Sequence, residues 1–311
     1  MPVTVVGSIA FDAVKTPFGE RERMLGGSAV HFALAASFFD EVRVVGPIGD
    51  DFGNEHLRAL QRRGVVIDDI ERVAGGRTFF WRGVYGWDLN DRQTLDTQLG
   101  VFAEFAPKLS AGSRDTEVLF LANIQPELQR QVRAQCAGAR FVALDSMNFW
   151  IETARDSLVA AISEVDCVIL NDAELRQLTE EPSFLLAARK VRGWGPSVVV
   201  AKQGEYGAAM VTDEGFFALP AFPLETVVDP TGAGDCFAGG FVGYVAAHRD
   251  APLDHELLCR AMAYGTALAS YNVEEFGTER IQRLSSEEIS DRVAELSRIT
   301  RFIEKPLPLR R

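Results

Sequence analysis

The sequence predicts an α/β protein with a mostly parallel central sheet, helices on both faces and a small β-sheet lid. Three observations carry that expectation. Short β-branched runs alternate with helical patterns through most of the chain, the order produced when each strand is followed by a crossover helix. The strand candidates are almost wholly apolar, as strands covered on both faces are. Two excursions of different character interrupt the alternation.

The strand candidates are Val3 to Ser8, Val42 to Gly46, Val118 to Leu121, Phe141 to Asp145, Cys167 to Asn171 and Pro196 to Lys202. Helical spacing appears between them, over Ser28 to Phe39, Phe52 to Arg62, Pro126 to Cys136, Ile151 to Ser163 and Ser183 to Trp194. The first excursion, 11–25, is polar and holds Pro17 and Gly19. The second, 76–102, alternates and is rich in aromatic residues: Phe79, Phe80, Trp81, Tyr85 and Trp87. Together they suit a small antiparallel sheet lying as a lid over the carboxyl ends of the parallel strands. With no repeat, low-complexity tract or linker, residues 1–311 read as one domain carrying that lid.

The chain has 44 acidic and 32 basic residues, a net charge of −12. Long-range repulsion of phosphate backbones and anionic lipid argues against nucleic acid and membrane as partners. Small anions remain admissible, since backbone amides and a few local cations can hold a phosphate in an acidic protein. Cys136, Cys167, Cys236 and Cys259 are scattered, with no C-x-x-C pair, so neither zinc nor a disulfide framework is expected. The opening residues lack a signal peptide's basic region and cleavage site and read as a first strand. The longest apolar run, Phe237 to Ala247, spans 11 residues, well short of the roughly 20 that cross a bilayer. A cytoplasmic protein is expected.

The stretch richest in chemistry is Val228-Asp229-Pro230-Thr231-Gly232-Ala233-Gly234-Asp235-Cys236-Phe237-Ala238-Gly239-Gly240. Its small residues let backbone N–H groups converge at a helix N-terminus, where free donors and the helix dipole favour an anion. Asp235 there either caps the helix or presents a carboxylate to an attacking hydroxyl. A tight turn with no catalytic role is the competing account. Phe237 spoils a Rossmann G-x-G-x-x-G, no P-loop pattern occurs, and Gly26-Gly27-Ser28-Ala29-Val30 fails the hydrolase G-x-S-x-G at its last position.

Asp229 to Gly240 resembles the C-terminal signature of the ribokinase-like (PfkB) carbohydrate kinases. The N-terminal signature of that family is matched by Leu25 to Ala35, followed by Val45 to Gly53. Asn171-Asp172-Ala173-Glu174 and Lys202-Gln203-Gly204-Glu205-Tyr206-Gly207 fall between them in the family's order, so the resemblance runs from Val3 to about Asn272. It implies an ATP-dependent kinase acting on a hydroxyl, a primary one, of a sugar or sugar derivative. A nucleoside acceptor is one alternative, and a non-catalytic ligand-binding or regulatory protein on the same fold is another.

Carried over residue by residue, the resemblance makes Asp235 the catalytic base, with an ordinary carboxylate pKa sufficing, and Gly232, Ala233 and Gly234 the anion hole. Asn171 and Glu174 match the element that places Mg2+, largely through water, and the ATP phosphates; read without the family they form a helix N-terminus with acidic first-turn residues. Gly204 and Gly207 match a nucleotide-binding loop, or make a hairpin turn. Lys202 reaches an ATP phosphate or is solvated. A monovalent cation (K+) site neighbours the anion hole in the family, and Asp229 lies in the matching segment.

At the acceptor end the resemblance assigns Asp12 to the sugar hydroxyls, and Gly26 and Gly27 to close backbone approach. His31 stands where relatives usually have asparagine; an imidazole can donate one hydrogen bond to a hydroxyl, or simply open a helix. Asp145 and Asn148 end another strand, which puts them at the functional edge of the sheet, in the pocket wall and with no further role assigned. The lid aromatics either stack on a base or serve strand packing and a contact between two copies of the chain.

Overall fold

The computed structural model describes residues 2–90 and 92–302. In chain order the strands are β1 (Val3–Val6), β2 (Ala10–Thr16), β3 (Gly19–Gly26), β4 (Val42–Ile48), β5 (Val66–Arg72), β6 (Phe79–Tyr85), β7 (Arg92–Gln98), β8 (Val118–Leu121), β9 (Phe141–Leu144), β10 (Cys167–Asn171), β11 (Val198–Lys202), β12 (Ala208–Val211) and β13 (Phe216–Leu219). The helices are α1 (Ser28–Ala36), α2 (Asn54–Arg62), α3 (Ala111–Arg114), α4 (Pro126–Gln135), α5 (Asn148–Thr153), α6 (Arg155–Ile162), α7 (Asp172–Thr179), α8 (Phe184–Arg192), α9 (Ala233–Ala247), α10 (His255–Asn272), α11 (Glu279–Arg283) and α12 (Ser286–Thr300).

Nine strands form the main sheet in the order β13-β12-β11-β10-β9-β8-β1-β4-β5. Those from β11 to β5 run parallel, and β12 and β13 add an antiparallel hairpin at one edge. The apolar runs follow from double coverage. Val3 and Val5 of β1 point into the layer that includes α1, α9 and α10, while Val6 points into the layer with α4, α6, α7 and α8. Phe120 of β8 lies stacked on Phe32 of α1, centroids 4.1 Å apart.

The chain places β4 and β5 on one side of β1, then returns to lay β8 on the other. A crevice therefore opens beside the carboxyl end of β1, the position at which doubly wound sheets bind ligands. Glycine enforces the close approach there: a Cβ on Gly7, just after β1, would stand 2.7 Å from that of Ala122.

The second sheet has the order β3-β2-β6-β7. The expected antiparallel lid is in fact mixed, because β2 and β6 pair in parallel, Ala10 opposite Phe79 and Asp12 opposite Trp81. A short antiparallel turn joins β2 to β3, but the main-sheet segments inserted between β3 and β6 bring β6 back in the other sense. Val14, Tyr85 and Phe276 form a buried cluster with Met24, Trp81, Leu89 and Val228 against them, which fastens the lid over the crevice. Residue 91, within the second excursion, lies outside the described residues.

Several elements differ from the sequence reading, among them the C-terminal helices α10 and α12, which it did not list. The helix expected over Ile151 to Ser163 is two helices, since Ala154 leaves the helical region at φ −145°, ψ 36°. The strand β5, Val-Ile-Asp-Asp-Ile-Glu-Arg, was not expected; it is an edge strand, half-exposed, and lacks the apolar run that marks the others.

Candidate active site

Strand ends and helix starts deliver the site. Asp145 follows β9, Asn171 and Lys202 end β10 and β11, Asp12 comes from β2 of the lid sheet, His31 from α1, and Gly232 to Asp235 open α9.

The α9 N-terminus is built to leave donors free. Gly232 caps it at φ 77°, ψ −1°, in the left-handed region, which costs a residue with a side chain on the order of 1 kcal/mol. Ala233 and Cys236 donate their N–H groups to the Pro230 and Gly232 carbonyls. Among the described residues, the N–H groups of Gly232, Gly234 and Asp235 take no backbone partner. Upstream, Asp229 is fully buried and its two oxygens accept from the Thr231 and Gly277 amides, 2.9 Å each. That carboxylate holds the loop's shape.

Asp235 is buried deep enough that desolvation, with Asp145 adding repulsion, raises its pKa to about 7 against the opposing pull of Lys202 and Arg92. The ordinary carboxylate pKa expected from the sequence is therefore corrected upward by burial. A carboxylate poised near neutrality is a better proton acceptor for an attacking alcohol.

Lys202 is not solvated. Its Nζ lies 3.1 Å from Asp145 Oδ2, with the two side chains 17% and 7% exposed. Burial alone would lower its pKa, yet Asp145, Glu174 and Asp235 together hold the ammonium above its usual range. A Cβ on Gly234 would come 3.1 Å from Nζ, so this cation lies against the anion hole.

Asn171 and Glu174 form a reciprocal capping box at the start of α7: Asn171 Oδ1 accepts from the Glu174 amide at 2.7 Å and Glu174 Oε2 from the Asn171 amide at 2.9 Å. The helix-start reading is thus correct locally. Burial nevertheless raises the Glu174 pKa to about 7, against Lys202. Gly204 and Gly207 flank a 3-10 turn after β11 at φ 57° and 101°. A Cβ on Gly207 would strike the Leu219 carbonyl at 2.1 Å, so packing against the residues that follow β13 explains that glycine without a ligand.

At the other end, Asp12 is 6% exposed and sits where a Gly26 Cβ would be, 1.9 Å from its Oδ2. It accepts from the Gly27 amide, yet burial and Asp229 raise its pKa to about 7. His31 is buried; its Nδ1 is 3.2 Å from Asn272 Oδ1, its Nε2 is 4.0 Å from Asp12 Oδ2, and its ring packs where a Gly232 Cβ would be, 2.3 Å away. Burial lowers its pKa to about 4, so it is neutral.

Asp145, left without a role by the sequence, proves to be the partner of Lys202, whereas Asn148 is exposed. Of the lid aromatics, Phe79 stacks on Phe102, Phe80 packs against the main core, Trp81 donates to Thr94, and the Tyr85 hydroxyl accepts from Thr231 Oγ1 at 3.2 Å. Trp87 is 90% exposed. Strand packing accounts for most of them.

Three contributors escaped the sequence reading. Asn272, the last residue of α10, bonds His31 and the Thr231 carbonyl. The Tyr85 hydroxyl ties lid to anion-hole loop. Arg92, opening β7, lowers the pKa values of Asp12, Glu174 and Asp235 through its charge. None belongs to a motif, and only the fold brings them within range.

The family described as "pfkB family carbohydrate kinase" matches residues 3–283. The chain is 32% identical over 254 residues, 78% of its length and 88% of the relative's, to a cytidine kinase of Thermococcus kodakarensis. It is 25% identical over 289 residues, 88% of its length and 90% of the relative's, to a nucleoside kinase of Methanothermobacter thermautotrophicus. The fold superposes on the nucleoside kinase of Methanocaldococcus jannaschii, described as an archaeal member of the ribokinase family, with TM-score 0.76 at 19% identity, covering 94% of this chain and 98% of that one. It also superposes on aminoimidazole riboside kinase from Salmonella enterica, solved with aminoimidazole riboside and an ATP analogue, with TM-score 0.74 at 21% identity, covering 94% and 100%.

Proposed function

The chain belongs to the pfkB family of carbohydrate kinases, which are ATP-dependent phosphotransferases, and from that premise we propose that it phosphorylates a primary hydroxyl of a nucleoside with Asp235 as base. The observation that carries this reading is Asp235 itself. It is a half-buried carboxylate with a pKa raised to about 7, on the residue that ends the run of free N–H donors and within the field of Lys202.

Asp235 takes the proton as the acceptor oxygen bonds to the γ-phosphorus of ATP, and ADP departs. The free N–H groups of Gly232, Gly234 and Asp235 and the Lys202 ammonium neutralise charge on the transferring group, the Ala233 N–H being held by the Pro230 carbonyl, and such neutralisation does most of the work in phosphoryl transfer. Glu174 suits Mg2+: it is a single half-buried carboxylate, and only its Oε2 is taken up by the Asn171 amide. Bound there with retained waters, the metal would supply further charge neutralisation on the phosphates. On this reading Asn171 and Gly204 serve the nucleotide, Gly207 shapes the turn beside it, and Asp12, Gly26, Gly27 and His31 serve the acceptor.

A nucleoside rather than a free sugar is favoured by the cytidine kinase and nucleoside kinase relatives. The potassium reading gains no support from Asp229, whose visible role is to hold the loop through the Thr231 and Gly277 amides. Phe18, Leu95 and Leu99 are exposed apolar residues on or beside the lid strands, which supports a homodimer through that sheet, checked by sedimentation. No described helix is long and apolar enough to cross a membrane, and four free cysteines fit a cytoplasmic setting.

The test is ADP release with Mg-ATP against cytidine, other nucleosides, ribose and sugar phosphates, with Asp235→Asn in parallel. Asp235→Asn lowers kcat by about 100-fold or more with ATP affinity little changed. In the wild type the acid limb of kcat/KM titrates near the raised carboxylate value, about 7, activity rising with pH as the base loses its proton. ATP binding lost in step with activity contradicts the role given to Asp235.

A further inference from the structure

A cavity of about 490 Å³ opens between the end of α2 and α11. Ala59, Arg62 and Arg63 line it from one side, and Glu279, Gln282 and Arg283 from the other. None of these residues belongs to the active site. Three cations thus meet one carboxylate in the wall of a hollow, on a chain whose net charge is −12.

Elsewhere the chain neutralises its arginines, as where Glu274 bridges Arg280 and Arg292. In the cavity wall Arg283 is paired in the same way, its guanidinium held by both oxygens of Glu275. Among the described residues, Arg62 and Arg63 form no such pair. Arg63 is half-buried: its guanidinium lies over the Phe38 ring at 3.7 Å, its Nη1 reaches the Leu284 carbonyl at 3.5 Å, and its Nε has no partner. Burial lowers its pKa, and no carboxylate opposes the shift. Arg62 is exposed and stands four residues after Arg58 on α2, a spacing at which like charges repel. A desolvated cation and a repelling neighbour both cost the fold stability, and an anion placed between them relieves both. The Phe38 face holds the Arg63 guanidinium plane, and its edge donors suit the forked hydrogen bonds of an oxyanion.

We propose that this cavity is a binding site, separate from the catalytic crevice, for a small molecule bearing a phosphate group whose oxygens accept from Arg62 and Arg63. Phosphate is favoured over carboxylate because its additional oxygen and charge can engage two guanidiniums at once. A small molecule is favoured over a polyanion because the hollow has the size of a metabolite pocket, while the net charge of the chain repels extended anions. The ligand would join α2 to α11, which begins two residues after Gly277. The Gly277 amide holds Asp229, so the ligand grips the segment that braces the anion-hole loop.

The test is titration calorimetry of the full chain with pyrophosphate, in excess Mg2+ and with a saturating non-hydrolysable ATP analogue already filling the catalytic crevice. One further site per chain is the expected result. Arg62→Gln, a change at an exposed side chain, weakens that site on the order of tenfold. Glu279→Gln removes the carboxylate from the wall and tightens binding several-fold, a gain that misfolding cannot produce. Succinate binds on the order of tenfold more weakly than pyrophosphate. Absence of a site beyond the filled crevice overturns the proposal, as does an affinity that neither substitution moves. Equal binding of succinate overturns the phosphate class. No arm requires turnover, so the kinase reading fails separately, when no acceptor releases ADP.

Discussion

Gly232 carries two demands at once. Its backbone is left-handed at φ 77°, and a Cβ there would meet the His31 ring at 2.3 Å. Gly232→Ala therefore costs roughly 1–3 kcal/mol of stability from backbone strain alone, read as a lowered unfolding midpoint. It also displaces His31, raising KM for the acceptor more than KM for ATP. An unchanged acceptor KM would mean that the ring does not face the substrate. The motif was legible as glycine and aspartate in the sequence, but this reason for the glycine was not, because His31 lies some two hundred residues earlier in the chain. Lys202 teaches the same lesson. Its charge was visible, whereas its ion pair with Asp145 depends on β9, β10 and β11 lying side by side.

Among the elements, the lid is the one whose existence the sequence announced and whose construction it concealed. Alternating aromatic residues over 76–102 marked strands, but periodicity reports which face a residue takes and not which strand it pairs with. The parallel pairing of β2 with β6 places Asp12 opposite Trp81, and it aligns Tyr85 so that its hydroxyl meets Thr231. This bond ties lid to anion-hole loop. Tyr85→Phe removes it at a cost of about 1 kcal/mol; we expect a several-fold rise in acceptor KM and faster protease cleavage within residues 76–102, with kcat little altered. Cleavage at the wild-type rate would show that the apolar cluster of Val14, Tyr85 and Phe276 alone holds the lid down. The capping box of α7 shows the converse case. Asn171 and Glu174 were readable as a helix start from spacing alone, and they are one, yet burial beside Lys202 is what makes Glu174 unusual.

The whole molecule bears a cost for its site. Asp12, Glu174 and Asp235 all have pKa values raised to about 7 in the folded chain, burial being the largest cause for each. In the unfolded chain they titrate near 4. The folded state thus binds more protons between those values, so their contribution to stability is fully present below about pH 4 and is lost as pH rises through about 7. Urea unfolding without ligand should show these groups favouring pH 5 over pH 8. Asp235→Asn flattens the difference and is more stable than wild type at pH 8, because it removes a buried charge. A wild type at least as stable at pH 8, with no change in the variant, would refute the raised values.

Taken alone, the sequence determined the α/β class, the parallel order of most strands, the family and the short segments that carry Asp235, Asn171, Glu174 and Asp12. These are properties of short segments: apolar runs, turn residues and strings whose meaning is local. Tertiary structure decided the raised pKa values of the carboxylates, the pairing of Lys202 with Asp145, the contact of His31 with Asn272 and the mixed pairing of the lid. Each of these depends on burial or on a partner remote in the chain. Desolvation and hydrogen-bond direction arise only when distant segments exclude water together.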